Sequence, residues 1–370
     1  VLEGLKKKKD LDLNVIVGMM DAGGSNAVVR DEFGLLPLSD LRKSIIALSQ
    51  ENENQMLRNL FTYRFSQGNG LKGHTLGNLL MIAMTEITGS EVEAIEMFKY
   101  FFSVTGNIIP VTLDKVRLVA EYDDGSKVVG EHLIDEPEDD KKIVKFYFDK
   151  KAQAYQGAID TIMSSDYVII GPGDVYTTTL ANIIVDGIPQ ALQKTKAKLI
   201  FISNLMSKKG QTRGLTLESM LSLVEGYIGR KFDYVLVNNG RIPQKAYKRY
   251  IKQGEHIFKD DIKKNGREII RADLVANSVI KKDKGDALDR SLVRHDPDKV
   301  ARELYKIFRK WRTYIGFIAI GVLVPIIHTA MVFEGKDTLD FMTRNIQQSF
   351  VFVGNLLNAY LVSYLSLIHI

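Results

Sequence analysis

Four short β-rich runs, each stopping at a polar or glycine-bearing loop, limit the folds open to this chain more than any other feature. They are LNVIVGMM, SDYVIIGPGD, AKLIFISNLM and FDYVLVNNG. Runs apolar at successive positions have no face to offer to water, so they are expected as parallel strands covered on both sides. Helical segments separate them, and that alternation specifies an α/β class: a mostly parallel sheet with helices on both faces. The segment GNLLMIAMTEI places Leu76, Leu79, Leu80, Ala83, Met84 and Ile87 on one helical stripe. The next helix opens with Ser90 and Glu93 at capping-box spacing, and LTLESMLSLVEGYI reads as another helix. VRLVAEYDDGSKVVGEHLI is different, because a DG turn between alternating runs predicts an antiparallel hairpin, inserted into the fold or set at its edge.

The chain has 370 residues, 45% apolar and 26% charged, a balance that suits a folded globular protein. With no cysteine, disulfides, thiolate nucleophiles and cysteine-type zinc sites are excluded. That fits a cytoplasmic location. The net charge of +5 is uneven: between Arg241 and Arg312, Lys and Arg outnumber Asp and Glu roughly twofold. Such a bias suits phosphates, nucleotides or an anionic lipid surface, and equally a solvated helix face. The opening VLEGLKKKKDLDL reads as the end of a helix leading to a strand, with no secretory signal, so the N-terminus is expected to be cut. Near the other end TYIGFIAIGVLVPIIHTAMVF, residues 313–333, is uncharged and about long enough to cross a bilayer. It follows the basic flank KIFRKWR, and a second apolar run from Phe350 would complete a hydrophobic helical hairpin. The expected organisation is a body over 1–308 and a tail over 309–370, cytoplasmic with a membrane tether through 313–333. The last six residues, LSLIHI, resemble the translation of a transposon end.

In open parallel sheets ligands sit beyond the carboxyl ends of the strands, where loops meet helix N-termini. The loops MMDAGGS, GPGDVYTTT, NLMSKKGQT and NNGRIP are all expected there. The most informative is GPGDVYTTTLANIIV: Gly171 and Gly173 let the backbone approach a bulky anion, and Thr177, Thr178 and Thr179 offer hydroxyls at a helix start. A phosphate cradle and a tight strand–helix turn with capping threonines both fit it. It is neither a Walker loop nor a GxGxxG fingerprint. In the first loop Asp21 stands where a carboxylate could hold Mg²⁺ against phosphate oxygens, with Gly23, Gly24 and Ser25 supplying N–H groups and a hydroxyl, and Arg30 neutralising an anion. An Asx-turn at Asp21 and an Arg30 paired with Asp31 or Glu32 fit equally. Asp40 follows the capping Ser39 and complements the helix dipole; His74 and Asn78 flank the start of an amphipathic helix, where a cap or core role is the commoner one. No Ser-His-Asp order or HxxxH pair is present.

Taken in order, DAGGSNAVVRDEFGLLPLSDLRKSIIALS, FTYRF, GLKGHTLGNLLM, NIIPVT, DGSKVVGE, GPGDVYTTTLANIIVDGI, NLMSKKGQT and LVRHDPDKVA resemble the gluconeogenesis factor (YvcK-like) family, a branch of the CofD-like 2-phospho-L-lactate transferase superfamily. The resemblance covers residues 1 to about 308. It implies a Rossmann-like fold, a cytoplasmic protein, and a site for a nucleotide-sugar or nucleoside diphosphate. It also implies a factor that binds a UDP-sugar and links carbon metabolism to cell shape, or, from the transferase branch, an enzyme moving a phospholactyl group from a guanosine diphosphate carrier. By motif, Asp21, Gly23, Gly24 and Ser25 match DDGGS, His74 and Asn78 match GHxxGN, and Gly171, Gly173, Asp174, Thr177 and Thr178 fall in the GPG loop. Asn204 and Thr212 fall in the NLMT…GET segment, and Arg294 in RHD, where a diphosphate contact is expected. Three departures count against catalysis. The family's GGTG strand-loop is missing, which removes a central strand; the second acid of DDGGS is Ala22; and PPGD has become PLSD at 37–40. A scaffold without ligand, touching partners or membrane through its basic C-terminal third, is the remaining reading. Nucleic acid is not an expected partner, and a homo-oligomer is left open.

Overall fold

The computed structural model describes residues 1–20, 36, 39–50, 55–68, 70–135, 137, 141–212, 214–277 and 293–309. The chain divides into two compact units, Val1–Glu303 and Leu304–Ile370. Of the second unit only 304–309 are described, all helical, so the two apolar runs of the expected tail lie outside the described residues. Among the described residues no helix is long and apolar enough to cross a membrane.

The α/β class expected from the strand–helix alternation is the one observed. Strand β1 (Asn14–Val17) pairs in parallel with β2 (Asn107–Pro110), Val15 opposite Ile108. Strands β3 (Leu118–Tyr122), β4 (Lys127–Val129) and β5 (Ile143–Phe148) form an antiparallel sheet in the order β4-β3-β5. This is the hairpin predicted from the DG turn: Asp124 accepts from the Ser126 N–H at 2.9 Å, and Gly125 takes the left-handed conformation. Strands β6 (Tyr167–Ile170), β7 (Lys198–Ile202), β8 (Tyr234–Asn238) and β9 (Glu268–Ala272) make a four-stranded parallel sheet in chain order. The parallel strands thus form two sheets rather than one.

Helices Ile188–Lys194, Leu217–Ile228 and Gln244–Lys252 connect the strands of the larger sheet. Leu199, Ile200, Phe201 and Ile202 of β7 are at most 2% exposed, as a strand covered on both faces must be. At the start of β9 the buried Arg267 is held by Glu218, at 3.0 Å, and by Glu225, both on helix Leu217–Ile228. Glu225 also accepts from the Phe232 N–H at 2.9 Å, so one carboxylate ties together helix, loop and strand.

Helix Leu76–Thr88 is where predicted, but its buried side is not the predicted stripe. Gly77, Asn78, Met81, Ile82 and Thr85 face inward, while Leu80 is 40% and Ile87 79% exposed. The helix is apolar nearly all round, so periodicity does not choose a face. Close approach chooses it: a Cβ on Gly77 would lie 2.3 Å from the Phe61 carbonyl, and Asn78 accepts from Arg42 Nε at 3.0 Å. Phe61 then stacks obliquely on Phe98 and Phe102, at 5.3 and 4.6 Å between centroids. Ser90 caps the next helix, Glu91–Phe101, through the Glu93 N–H.

Candidate ligand-binding site

Because β6 to β9 are parallel, the loops leaving them emerge on one rim. After β6 comes Gly171-Pro172-Gly173-Asp174, with a cis Gly171–Pro172 bond, then a π-helical turn Val175–Leu180 running into Ala181–Ile183. Gly171 has φ +85°, and a Cβ there would meet the Ile202 carbonyl at 2.7 Å, so the loop passes against the end of β7 too closely for any side chain. At Gly173 a Cβ would meet the Thr178 methyl at 2.9 Å. The loop folds back on its own helical turn. Asp174 C=O accepts from the N–H groups of Thr178 and Thr179, at 3.0 and 2.8 Å, whereas the N–H groups of Gly173 and Asp174 donate to nothing among the described residues. The Thr178 hydroxyl is likewise uncommitted there. The Gly173 and Asp174 N–H groups and the hydroxyls of Thr178 and Thr179 are thus without protein partners among the described residues.

The other polar groups of the loop are used to hold it. Asn204, just past β7, donates to the Gly173 carbonyl at 2.8 Å. Lys208 contacts Asp174 at 2.6 Å and Asp135 at 3.1 Å. Thr177 and Gln211 both donate to Asp135 Oδ1 at 2.5 Å, and Gln211 returns its carbonyl to the Tyr176 N–H at 3.1 Å. Thr212 accepts from the Lys208 N–H at 2.8 Å. Asp135 ends the short helix Glu131–Asp135 of the hairpin insertion. From the same insertion Phe146 meets the ring of buried Tyr176 edge-on at 5.3 Å, and Pro137 lies where any side chain on Gly210 would have to go. The insertion therefore clamps the two rim loops against each other. Burial raises the Asp135 pKa above the usual carboxylate value, with Asp174 adding to the effect and Lys208 opposing it. Burial also works against the Lys208 charge, but Asp174 and Asp135 outweigh it and hold that pKa above the ordinary lysine value. The lysine takes the place between two carboxylates that a cation would otherwise occupy.

Of the predicted residues, Gly171, Gly173, Asp174, Thr177, Thr178, Asn204 and Thr212 are thus gathered at one rim. Within that group the hydroxyls of Thr177 and Thr212, the Asp174 carboxylate and the Asn204 amide bond to protein. Asp40 forms an exposed ion pair with Lys43 at 2.7 Å on its own helix, Ser39–Leu48. His74 is half-buried in the turn before helix Leu76–Thr88, and Asn78 is committed to Arg42. Asp21, Gly23, Gly24, Ser25 and Arg30 lie outside the described residues, and with them the expected Mg²⁺ ligand. The segment leading to them is at the rim all the same: Gly18, just past β1, is so close to Asn182 that a Cβ would be 3.3 Å from its amide. Arg294 is exposed, while its neighbour His295 is turned in and hydrogen-bonds the backbone of Ser203 at the end of β7. Burial lowers the His295 pKa to about 4, and its Nε2 has no partner among the described residues.

Asp135, Lys208, Gln211, Asn182 and His295 were missed by sequence reasoning. Lys208 and Gln211 lie inside NLMSKKGQT and Asn182 inside GPGDVYTTTLANIIV, so proximity to a glycine loop was the signal available for three of them, and membership of the RHD segment for His295. Asp135 carries none: EHLID is an ordinary amphipathic turn, and only the folding of the hairpin brings it to the rim.

The profile of the 2-phospho-L-lactate transferase CofD family matches residues 1–275. The chain belongs to the CofD family. Within it the chain is similar to a putative gluconeogenesis factor of Thermotoga maritima, 34% identical over 309 residues, covering 84% of this chain and 95% of that protein. It is 34% identical over 315 residues to the gluconeogenesis factor of Bacillus subtilis, covering 84% and 94%. A putative gluconeogenesis factor of Nostoc is 36% identical over 312 residues, 83% of this chain and 65% of that longer protein. A crystal structure of a UPF0052 family protein from Bacillus halodurans superposes with a TM-score of 0.74 at 30% identity, covering 82% of this chain and 94% of that one. The CofD-family fold expected from the ordered motifs is therefore the fold of this chain.

Proposed function

We propose that this CofD-family chain binds a nucleotide-sugar of the UDP-sugar class at the rim and acts as a gluconeogenesis factor that couples carbon supply to cell shape. The observation that carries the reading is the loop after β6. Its Gly173 and Asp174 N–H groups and the Thr178 hydroxyl stay uncommitted while Asp174, Thr177, Asn204, Lys208 and Gln211 are used to fix the loop, a division of labour that suits recognition of a diphosphate by a pre-set backbone cradle. Asp21 would hold Mg²⁺ against that diphosphate, and the exposed Arg294 of the RHD segment would contact it. The protein works in the cytoplasm.

Isothermal titration of the full chain with UDP-N-acetylglucosamine and with GDP, each with and without Mg²⁺, tests this. UDP-sugar binding without turnover supports the factor, and silence from both nucleotides removes it. The second reading, transfer of a phospholactyl group from a guanosine diphosphate donor, is favoured by the family match alone. It requires product formation from that donor: an acceptor hydroxyl would attack the phospholactyl phosphorus in line, the P–O–P bond would break and guanosine monophosphate would leave, and Mg²⁺, if held by Asp21, would offset the charge on it.

A further inference from the structure

We infer that helix Gln244–Lys252 is a docking surface for an anionic lipid bilayer, independent of the rim. The helix buries Ala246 and Tyr250 against the body and carries no acidic residue. With 100° per residue, Lys245, Lys248 and Lys252 form one stripe on the opposite side, Arg249 flanks it, and Arg241 precedes the helix; all five are exposed. Each is without an ion-pair or hydrogen-bond partner for its side chain among the described residues. Other exposed cations are paired, among them Lys7 with Asp298, Lys43 with Asp40 and Arg271 with Asp260. Ile251, beside the stripe, is 49% exposed, and Ile257, beyond the helix, is 48% exposed.

Charge and apolarity together select the occupant. From Arg241 to Lys264 there are eight Lys or Arg and three Asp or Glu, a net +5 that equals the net charge of the whole chain. Of the three acids, Asp260 is neutralised by Arg271 and Asp261 caps the Glu218 N–H. A polyanion therefore meets a local excess of positive charge here. The exposed Ile251 beside the stripe, with Tyr247 next to it only half-exposed, favours lipid. Aliphatic side chains enter the headgroup boundary, whereas a nucleic acid would be gripped by stacking rings and hydrogen-bonding side chains.

The test is co-sedimentation of the full chain with vesicles of phosphatidylcholine alone and of phosphatidylcholine with about 30% phosphatidylglycerol. The comparison is with the triple variant Lys245→Glu, Lys248→Glu, Lys252→Glu. The wild type is expected to prefer the anionic vesicles, and the preference to shrink as salt rises from about 0.1 to 0.5 M. The triple variant should lose affinity for them on the order of a hundredfold. A milder triple Lys→Gln variant should fall between, and both should melt like the wild type, which separates lost binding from lost folding. Equal sedimentation of wild type and triple Glu variant, or no preference for anionic vesicles, overturns the proposal. So does binding to labelled single-stranded RNA that the same substitutions abolish while vesicles are ignored.

Discussion

Asp135 is the residue on which the rim most depends. One of its oxygens receives Thr177, Gln211 and Lys208, and each of those also holds a different part of the glycine loop or its partner loop. Replacing Asp135 with Ala takes an acceptor from two buried donors, Thr177 and Gln211, and leaves Lys208 with Asp174 alone, so Asp135→Ala is expected to cost about 2–3 kcal/mol in thermal or urea unfolding. It should also weaken UDP-sugar binding about tenfold in calorimetry. Asp135→Asn keeps the accepting oxygen and should recover most of the stability, a pattern that a merely space-filling role would not give. Gly171→Ala forces a Cβ against the Ile202 carbonyl from a left-handed backbone and should lower stability by roughly 1–3 kcal/mol. His295 sets an acid limb. Its folded pKa of about 4 lies below the ordinary 6.5, so between those values the unfolded chain binds a proton that the native chain refuses. Stability therefore falls as pH drops through that window, by on the order of 2 kcal/mol. His295→Gln should flatten this part of a stability-versus-pH curve measured by urea unfolding, and an unchanged limb would assign the loss to other groups.

At the scale of elements, β9 is joined to its neighbouring helix by charge as well as by packing. Arg267→Ala would strand Glu225 in the core and should lower the unfolding free energy by about 3–5 kcal/mol. Arg267→Met removes the charge while keeping bulk, and the double variant with Glu225→Leu should restore part of the loss in urea unfolding. Strands β1, β6, β7 and β8 were legible because each is a short apolar run broken by glycine, asparagine or proline chemistry. Strand β9, REIIRA in sequence, was not, because charged residues interrupt it and its Arg267 is paid for by partners 42 and 49 residues away. The stripe on helix Leu76–Thr88 was misread for a related reason. Where both faces are apolar, the buried side is decided by a glycine contact and one buried hydrogen bond, and neither leaves a periodic trace.

For the whole molecule, the α/β class and the family were written in the sequence, since strand–helix alternation and ordered motifs survive without any knowledge of contacts. The site was legible in part. Glycine loops announced where a ligand would go, but residue type alone could not separate groups left open, such as Thr178, from groups spent on holding the loop, such as Thr177 and Asn204. That separation depends on the hairpin insertion, which reaches the rim from a distant part of the chain. The account rests on the β6 and β7 loops gripping a diphosphate-bearing ligand, and hydrogen–deuterium exchange of the full chain with and without UDP-N-acetylglucosamine reads this directly. Slowed exchange in segments 171–180 and 203–212 is the predicted result; ligand-dependent protection that leaves both segments unchanged would contradict it.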